Sequence, residues 1–406
     1  MNRRKFVQMA GLSAVSAGML GAQSAPAPKK EERAFGPVLM NVTSDEVTVV
    51  WGIGVSATGW VEFGETESLG KRADGEVGGL MPYGERVLRV RVGGLEAGKK
   101  YFYRVHSKPV EFVNAYKIRC GEETAGEVGS FTTLNASGAT ARFAVWNDTH
   151  EHVETIRKLV GMTGEQDFLF WNGDVVNTID TEGEIARKFF DPAEGETYAG
   201  KVPVLFSRGN HDVRGAGARQ LSRYVNGLGG RFYYWFRQGP VAFVVMDTGE
   251  DKPDDSAAYA GLAGFNAYRE EQRVWLEKVI EEPGFKSAPF RVVFAHIPMV
   301  WDGDVLVTML ATYGKTRGWV SDDGLAKWGP LFDQAKVDVV ISGHTHHHAW
   351  YPAKSGRSWG QIIGGGPIMA AATVINGLAD GEKLELVMRM AANGEVVTRQ
   401  EFRRQV

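Results

Sequence analysis

Apolar and polar positions change their rhythm once along the chain. Between about residues 34 and 135, short runs alternate: Val47-Thr48-Val49-Val50-Trp51, Gly59-Trp60-Val61-Glu62-Phe63-Gly64, Arg86-Val87-Leu88-Arg89-Val90-Arg91-Val92 and Tyr101-Phe102-Tyr103-Arg104-Val105. Successive side chains of a strand face opposite ways, so this period of two, broken by glycine and polar turn residues, predicts a small antiparallel β-sandwich. Beyond Ala139 the order becomes apolar strand, polar loop, helix. Phe143 to Trp146, Phe168 to Trp171, Val202 to Phe206, Arg291 to Ala295 and Val337 to Ile341 read as buried strands. Glu154 to Met162 and Asn266 to Glu282 carry apolar residues near helical spacing, the second ending at Glu282-Pro283-Gly284. The change of rhythm puts a module boundary near residues 135 to 141, with no internal repeat on either side.

Composition narrows the chemistry. The 406 residues suit one large domain or two ordinary ones, and 43% hydrophobic with 23% charged residues excludes disorder. A net charge of −3 gives no general drive toward nucleic acid or acidic membranes. With a single cysteine, Cys120, neither disulfides nor thiolate zinc clusters organise the chain. Any bound metal must be held by carboxylates and the nine histidines.

At the N-terminus, Arg3-Arg4-Lys5-Phe6 precedes a weakly apolar run, Met9 to Ala22, that is too short to span a bilayer. Residues 1–27 resemble a twin-arginine export signal, with cleavage expected near Ser24, which implies a periplasmic or secreted protein. No later segment approaches the roughly 20 apolar residues of a membrane span. After a polar linker at Ala25 to Arg33, the stretch Gly93 to Tyr103 resembles the signature of a fibronectin type III-like module, which would occupy residues 34–135.

The histidines are not scattered. Apart from His106, all eight follow an apolar strand candidate: His150 and His152, His211, His296, and His344 with His346, His347 and His348. Strand ends also supply Asp148, Asp174 and Asn210. In open α/β sheets ligands gather beyond the carboxyl ends of strands, so loops distant in sequence are expected to converge on one polar cluster. Alone, each motif is weak, since Gly-Asp is a common turn and Asp-Thr-His can cap a helix. Their ordered succession, Asp-x-His, Gly-Asp, Gly-Asn-His, His and Gly-His-x-His, is specific.

With these motifs the chain resembles the calcineurin-like metallophosphoesterase superfamily, and the preceding fibronectin-like module resembles the purple acid phosphatase branch. The resemblance implies an α/β catalytic domain over residues 140–406, a four-layer αββα sandwich, and a two-metal centre. Asp148, His150 and His346 would hold one metal, Asn210, His296 and His344 the other, and Asp174 would bridge them. This donor set suits Fe, Mn or Zn. The resemblance further implies hydrolysis of a small-molecule phosphate ester by a metal-bridging hydroxide, with His211 serving the leaving group as acid or donor; the neighbouring Asp212 reads either as orienting that ring or as a turn residue. Asn177 stands where the purple branch has an iron-ligating tyrosine, and His150 is a histidine that branch lacks. A colourless site is expected.

Other strings fail on context. Gly314-Lys315-Thr316 lacks the preceding glycine of a phosphate loop, because that position holds Met309. Gly356-Arg357-Ser358-Trp359-Gly360 enters a strand candidate instead of leaving one. Arg214 and Arg219, and an insertion from Trp301 to Trp319 with Tyr313, Lys315 and Arg317, are candidate specificity segments. The sequence leaves open monoesters against diesters, a non-catalytic surface protein with a vestigial metal site, and the oligomeric state.

Overall fold

The apolar runs beyond Ala139 become two sets of parallel strands. Ala141–Trp146, Phe168–Asn172 and Val204–Ser207 pair in parallel, with Phe143 opposite Phe168 and Leu169 opposite Val204. Val241–Met246, Phe290–Ala295, Val339–Ser342 and Gly360–Ile363 form the parallel part of a second sheet. Antiparallel Thr373–Ala379, Lys383–Met390 and Val396–Arg403 extend the first sheet, while Tyr234–Gln238 and Ala349–Tyr351 edge the second. These coordinates are a computed structural model describing residues 34–301 and 319–404. The expected export signal and most of the Trp301 to Trp319 insertion, including Tyr313, Lys315 and Arg317, lie outside the described residues.

The parallel strands are apolar on both faces because each feeds two cores. Phe143 and Phe168 meet Phe243 between the sheets at ring distances of 5.1 Å each. Their neighbours Ala144, Trp146, Leu169 and Trp171 turn outward onto Ile156 and Leu159 of helix Val153–Thr163. On the far side, Val244, Met246 and Val293 pack against Leu276 and Val279 of helix Phe265–Val279 and against Trp328 and Phe332 of helix Trp319–Gln334. The result is the expected order of helix, sheet, sheet and helix.

The N-terminal strands also face one another as two sheets, joined by a buried hydrogen bond from Trp51 Nε1 to Ser107 Oγ at 2.8 Å. Tyr101 to Val105 proves to be only the start of a fifteen-residue strand, Lys100–Asn114, whose far end pairs with Lys117–Cys120. One of the two sheets continues into the α/β region. Val38–Met40, Glu46–Gly52 and Val87–Gly93 add to the large sheet through parallel pairing of Met40 with Val204, giving nine strands in all. Hydrogen bonds from Leu39 N to Ala199 O (2.9 Å) and from Asn41 N to Val204 O (3.2 Å) secure that seam. The compositional boundary falls between strands Gly129–Thr132 and Ala141–Trp146. Among the described residues no helix is long and apolar enough to cross a membrane.

Candidate metal centre

Parallel pairing sends the carboxyl ends of both strand sets to one side, and the five loops meet there across the gap between the sheets. Asn172 carries the junction: its carbonyl accepts from His296 Nδ1 at 2.8 Å and its amide donates to Ile341 O at 3.1 Å. Gly343 N donates to His296 O, and His344 N to the Asp148 carboxylate at 2.9 Å. His150 N in turn donates to Asp174 O at 3.0 Å. Loops far apart in sequence are thereby locked together by hydrogen bonds that each use at least one backbone group.

The loops are held in a costly shape. Asp148, His150, Asp174, His344 and His346 all have left-handed backbone, with φ between 44° and 71°. That region costs a non-glycine residue roughly 1 kcal/mol or more, and such strain concentrates at functional sites. The motif glycines have a separate reason. A Cβ on Gly209 would overlap Asp174 Oδ1, and one on Gly343 would overlap Asp148 Oδ2.

Two groups of donor atoms result. Asp148, His150, Asp174 and His346 form one, and Asp174, His296 and His344 the other, each within 4.8 Å. Asp174 is common to both: its Oδ2 is 3.5 Å from His150 Nε2 and 3.2 Å from His296 Nε2. The Asn210 amide oxygen, 2.8 Å from His344 Nδ1, adds a donor to the second group. His150 Nε2 and His346 Nε2 are 3.1 Å apart, and His346 is the most open member, with its side chain 44% exposed. The structure thus brings together all seven residues singled out in the sequence as metal candidates.

These residues fit a cation. His296 Nε2 is fully buried without a hydrogen-bond partner of proper geometry, because the ring spends its Nδ1 proton on Asn172 O. Burial raises the Asp148 carboxyl to about 7. It would raise Asp174 too, but His296 and His150 beside it hold that carboxyl well below the usual range. Burial alone would lower His296, yet Asp174 and Asp148 push it up to about 10. The pocket therefore demands positive charge, either a proton on His296 or a metal ion in its place. Burial, helped by neighbouring histidines, drops His344 to about 3 and His346 to about 4, so both are neutral donors.

His211 stands at the edge of the cluster, its ring 4.7 Å from that of His150. Its Nδ1 donates to Asn177 O at 2.9 Å, and its Nε2 accepts from Arg214 Nη1 at 2.8 Å. Burial, with the positive Arg214 adding to it, lowers its pKa. Asp212 does not orient this ring as expected. Its carboxylate is taken up by the backbone N–H groups of Asp174, Val175, Val176 and Gly209 at 2.7 to 3.3 Å, which makes it a brace between two loops.

Sequence reasoning passed over Asn177 except as a missing tyrosine, yet its amide oxygen is 3.2 Å from His150 Nδ1 and its carbonyl holds His211. Glu250, which clamps Arg214 at 2.6 and 3.0 Å, carried no signal in the sequence. The remaining histidines stay outside the cluster. His106 stacks on Trp60 between Glu62 and Glu123, and His152, His347 and His348 are exposed. Ser358 donates to Asp333 Oδ1 at 2.7 Å just before strand Gly360–Ile363, so the elbow-like string is structural.

Two facing sheets with an Asp/His cluster capable of holding two metals at their shared edge define a metallophosphoesterase architecture. The family model for calcineurin-like phosphoesterases matches residues 141–348, and the chain belongs to that family. Membership implies a metal-dependent phosphoric ester hydrolase. Two solved structures share the fold. Purple acid phosphatase PPD1 from yellow lupin (Lupinus luteus) seeds is 16% identical, with a TM-score of 0.66, over 91% of this chain and 74% of the other. PhoD is 14% identical, with a TM-score of 0.62, over 93% and 92%. Among curated proteins none matches the chain.

Proposed function

We propose that the chain is an exported phosphomonoesterase acting on small phosphate esters through two metal ions. Asp148, His150 and His346 would hold one ion, Asn210, His296 and His344 the second, and Asp174 would bridge. The observation that carries this reading is the position of Asp174 Oδ2 between His150 Nε2 and His296 Nε2, at 3.5 and 3.2 Å. Metal ions bound there would supply an easily ionised water and a counter-charge for the phosphoryl oxygens. The protein's own part is to fix geometry and handle a proton. Asn172 and Asn177 hold the Nδ1 atoms of His296 and His150, which leaves their Nε2 atoms for coordination. His211, its Nδ1 held by Asn177 O, would serve the leaving oxygen as acid or donor through a protonated Nε2 with Arg214 turned away from that nitrogen. Its lowered pKa makes its imidazolium a stronger acid and favours acidic conditions. Residues 1–27 would direct export, and 34–135 would form a fibronectin type III-like module beside the catalytic region.

The test compares p-nitrophenyl phosphate with bis-p-nitrophenyl phosphate for protein loaded with Mn, Fe, Zn or Co. Faster turnover of the monoester is expected. The reverse order would make the protein a diesterase, and no hydrolysis of either with two equivalents of metal bound would remove the enzymatic reading.

A further inference from the structure

Beside His211 the surface opens into a cleft of about 510 Å³ that the proposed chemistry leaves unused. That volume lies in the range of about 300 to 1,000 Å³ typical of small-molecule sites. Arg214 is the shared wall, bonded to His211 on one side and clamped by Glu250 on the other. The opposite wall is anchored too, since the Asp254 carboxylate accepts the N–H groups of Phe265 and Asn266 at 2.9 Å.

Two features of this cleft lack a counterpart. Arg219 lines it with no carboxylate partner among the described residues, whereas Arg208 and Lys252 are paired with Asp247 and Asp251. Leu262 is 74% exposed on the cleft wall beside Phe265. A lone exposed arginine or leucine is ordinary, but a free cation and an apolar wall in one cavity are complementary to a single kind of molecule.

We propose that this cleft is a leaving-group subsite, selecting phosphate esters whose alcohol half has an apolar body and carries a further acidic group. The inference rests on the phosphoesterase reading. The phosphoryl end stays at the Asp/His cluster, and the alcohol half runs past His211 and Arg214 into the cleft. Its acidic group meets Arg219, and its apolar body covers Leu262.

Suitable probes are 4-carboxyphenyl phosphate and its neutral amide, 4-carbamoylphenyl phosphate, which are alike in size. The metal-loaded protein should prefer the carboxylate about tenfold in kcat/KM, through KM, as expected for one charge-assisted contact. R219A should close that gap, and R219K should keep part of it. Equal kcat/KM for the two esters, or a preference that survives R219A, overturns the proposal. Calorimetric binding of 4-hydroxybenzoate reads the cleft without turnover. If no ester is hydrolysed, the phosphoesterase reading fails, and binding that is present in the unaltered protein and lost in R219A still upholds the cleft, whereas no binding overturns it.

Discussion

His150 Nδ1 lies 3.2 Å from Asn177 Oδ1, and this contact leaves the opposite ring nitrogen of His150 facing Asp174 Oδ2 and His346 Nε2. Amide and imidazole form a unit: Asn177 Nδ2 returns a hydrogen bond to His150 O at 3.2 Å. Asn177→Ala removes the side-chain partner but keeps the carbonyl that holds His211. Metal affinity should fall about 10- to 100-fold, as is usual when the group orienting a ligand is lost. Competition with a chelator measures this, and unchanged affinity would sever Asn177 from the metal site. Iron-loaded protein should show no tyrosinate absorption in the visible, because the position holds an amide.

His211→Ala separates catalysis from coordination. The ring contacts Asn177 O and Arg214 and belongs to neither donor group, so two equivalents of metal should remain. Turnover should drop about 10²- to 10⁴-fold, the usual worth of a proton-handling group. Metal content falling in parallel with kcat would make His211 a structural ligand instead.

Gly343→Ala tests why glycine precedes the His-x-His pair. The added methyl would overlap Asp148 Oδ2, which also accepts from His344 N at 2.9 Å, so the carboxylate, whose Oδ1 faces His346, must shift. Forcing a methyl into such a packed site costs about 1 to 3 kcal/mol. A lower melting temperature with weakened occupancy of the metal group containing His346 is expected. Unaltered metal content and stability would show the loop to be slack.

The candidate site was legible because its signal is local: a polar ligand directly after an apolar strand, repeated loop by loop. The four-layer fold was legible for a related reason, since strands such as Phe168–Asn172 are apolar on both faces. Pairings set by three-dimensional closure were not. The parallel contact of Met40 with Val204, which carries the large sheet across the compositional boundary, leaves no trace in either strand's period. Asp212 reads as a partner for its neighbour His211, yet the closure of two loops turns its carboxylate toward four backbone N–H groups instead. The C-terminal strands Thr373–Ala379, Lys383–Met390 and Val396–Arg403 went unread because no chemistry-bearing motif marks them.

The proton on His296 links both stability and metal binding to pH. Burial alone would lower this imidazole from its ordinary 6.5, but Asp174 and Asp148 push it up to about 10 in the metal-free protein. A folded pKa above the unfolded one means that the proton stabilises the fold. That contribution is complete below about 6.5 and is lost as pH rises toward about 10. A metal ion can take over the same counter-charge role, but only when Nε2 has given up its proton. Apparent metal affinity should therefore climb with pH across this window, by up to about tenfold per unit for the His296 proton displaced, with Asp148, raised to about 7, adding a second proton at the acid end. Metal binding should release that proton, which calorimetry in buffers of different ionisation enthalpy detects. Chelation should lower the melting temperature more at pH 9 than at pH 6, and His296→Gln should flatten the difference. A chelator-induced drop of the same size at both pH values would mean that His296 does not supply the charge a metal replaces.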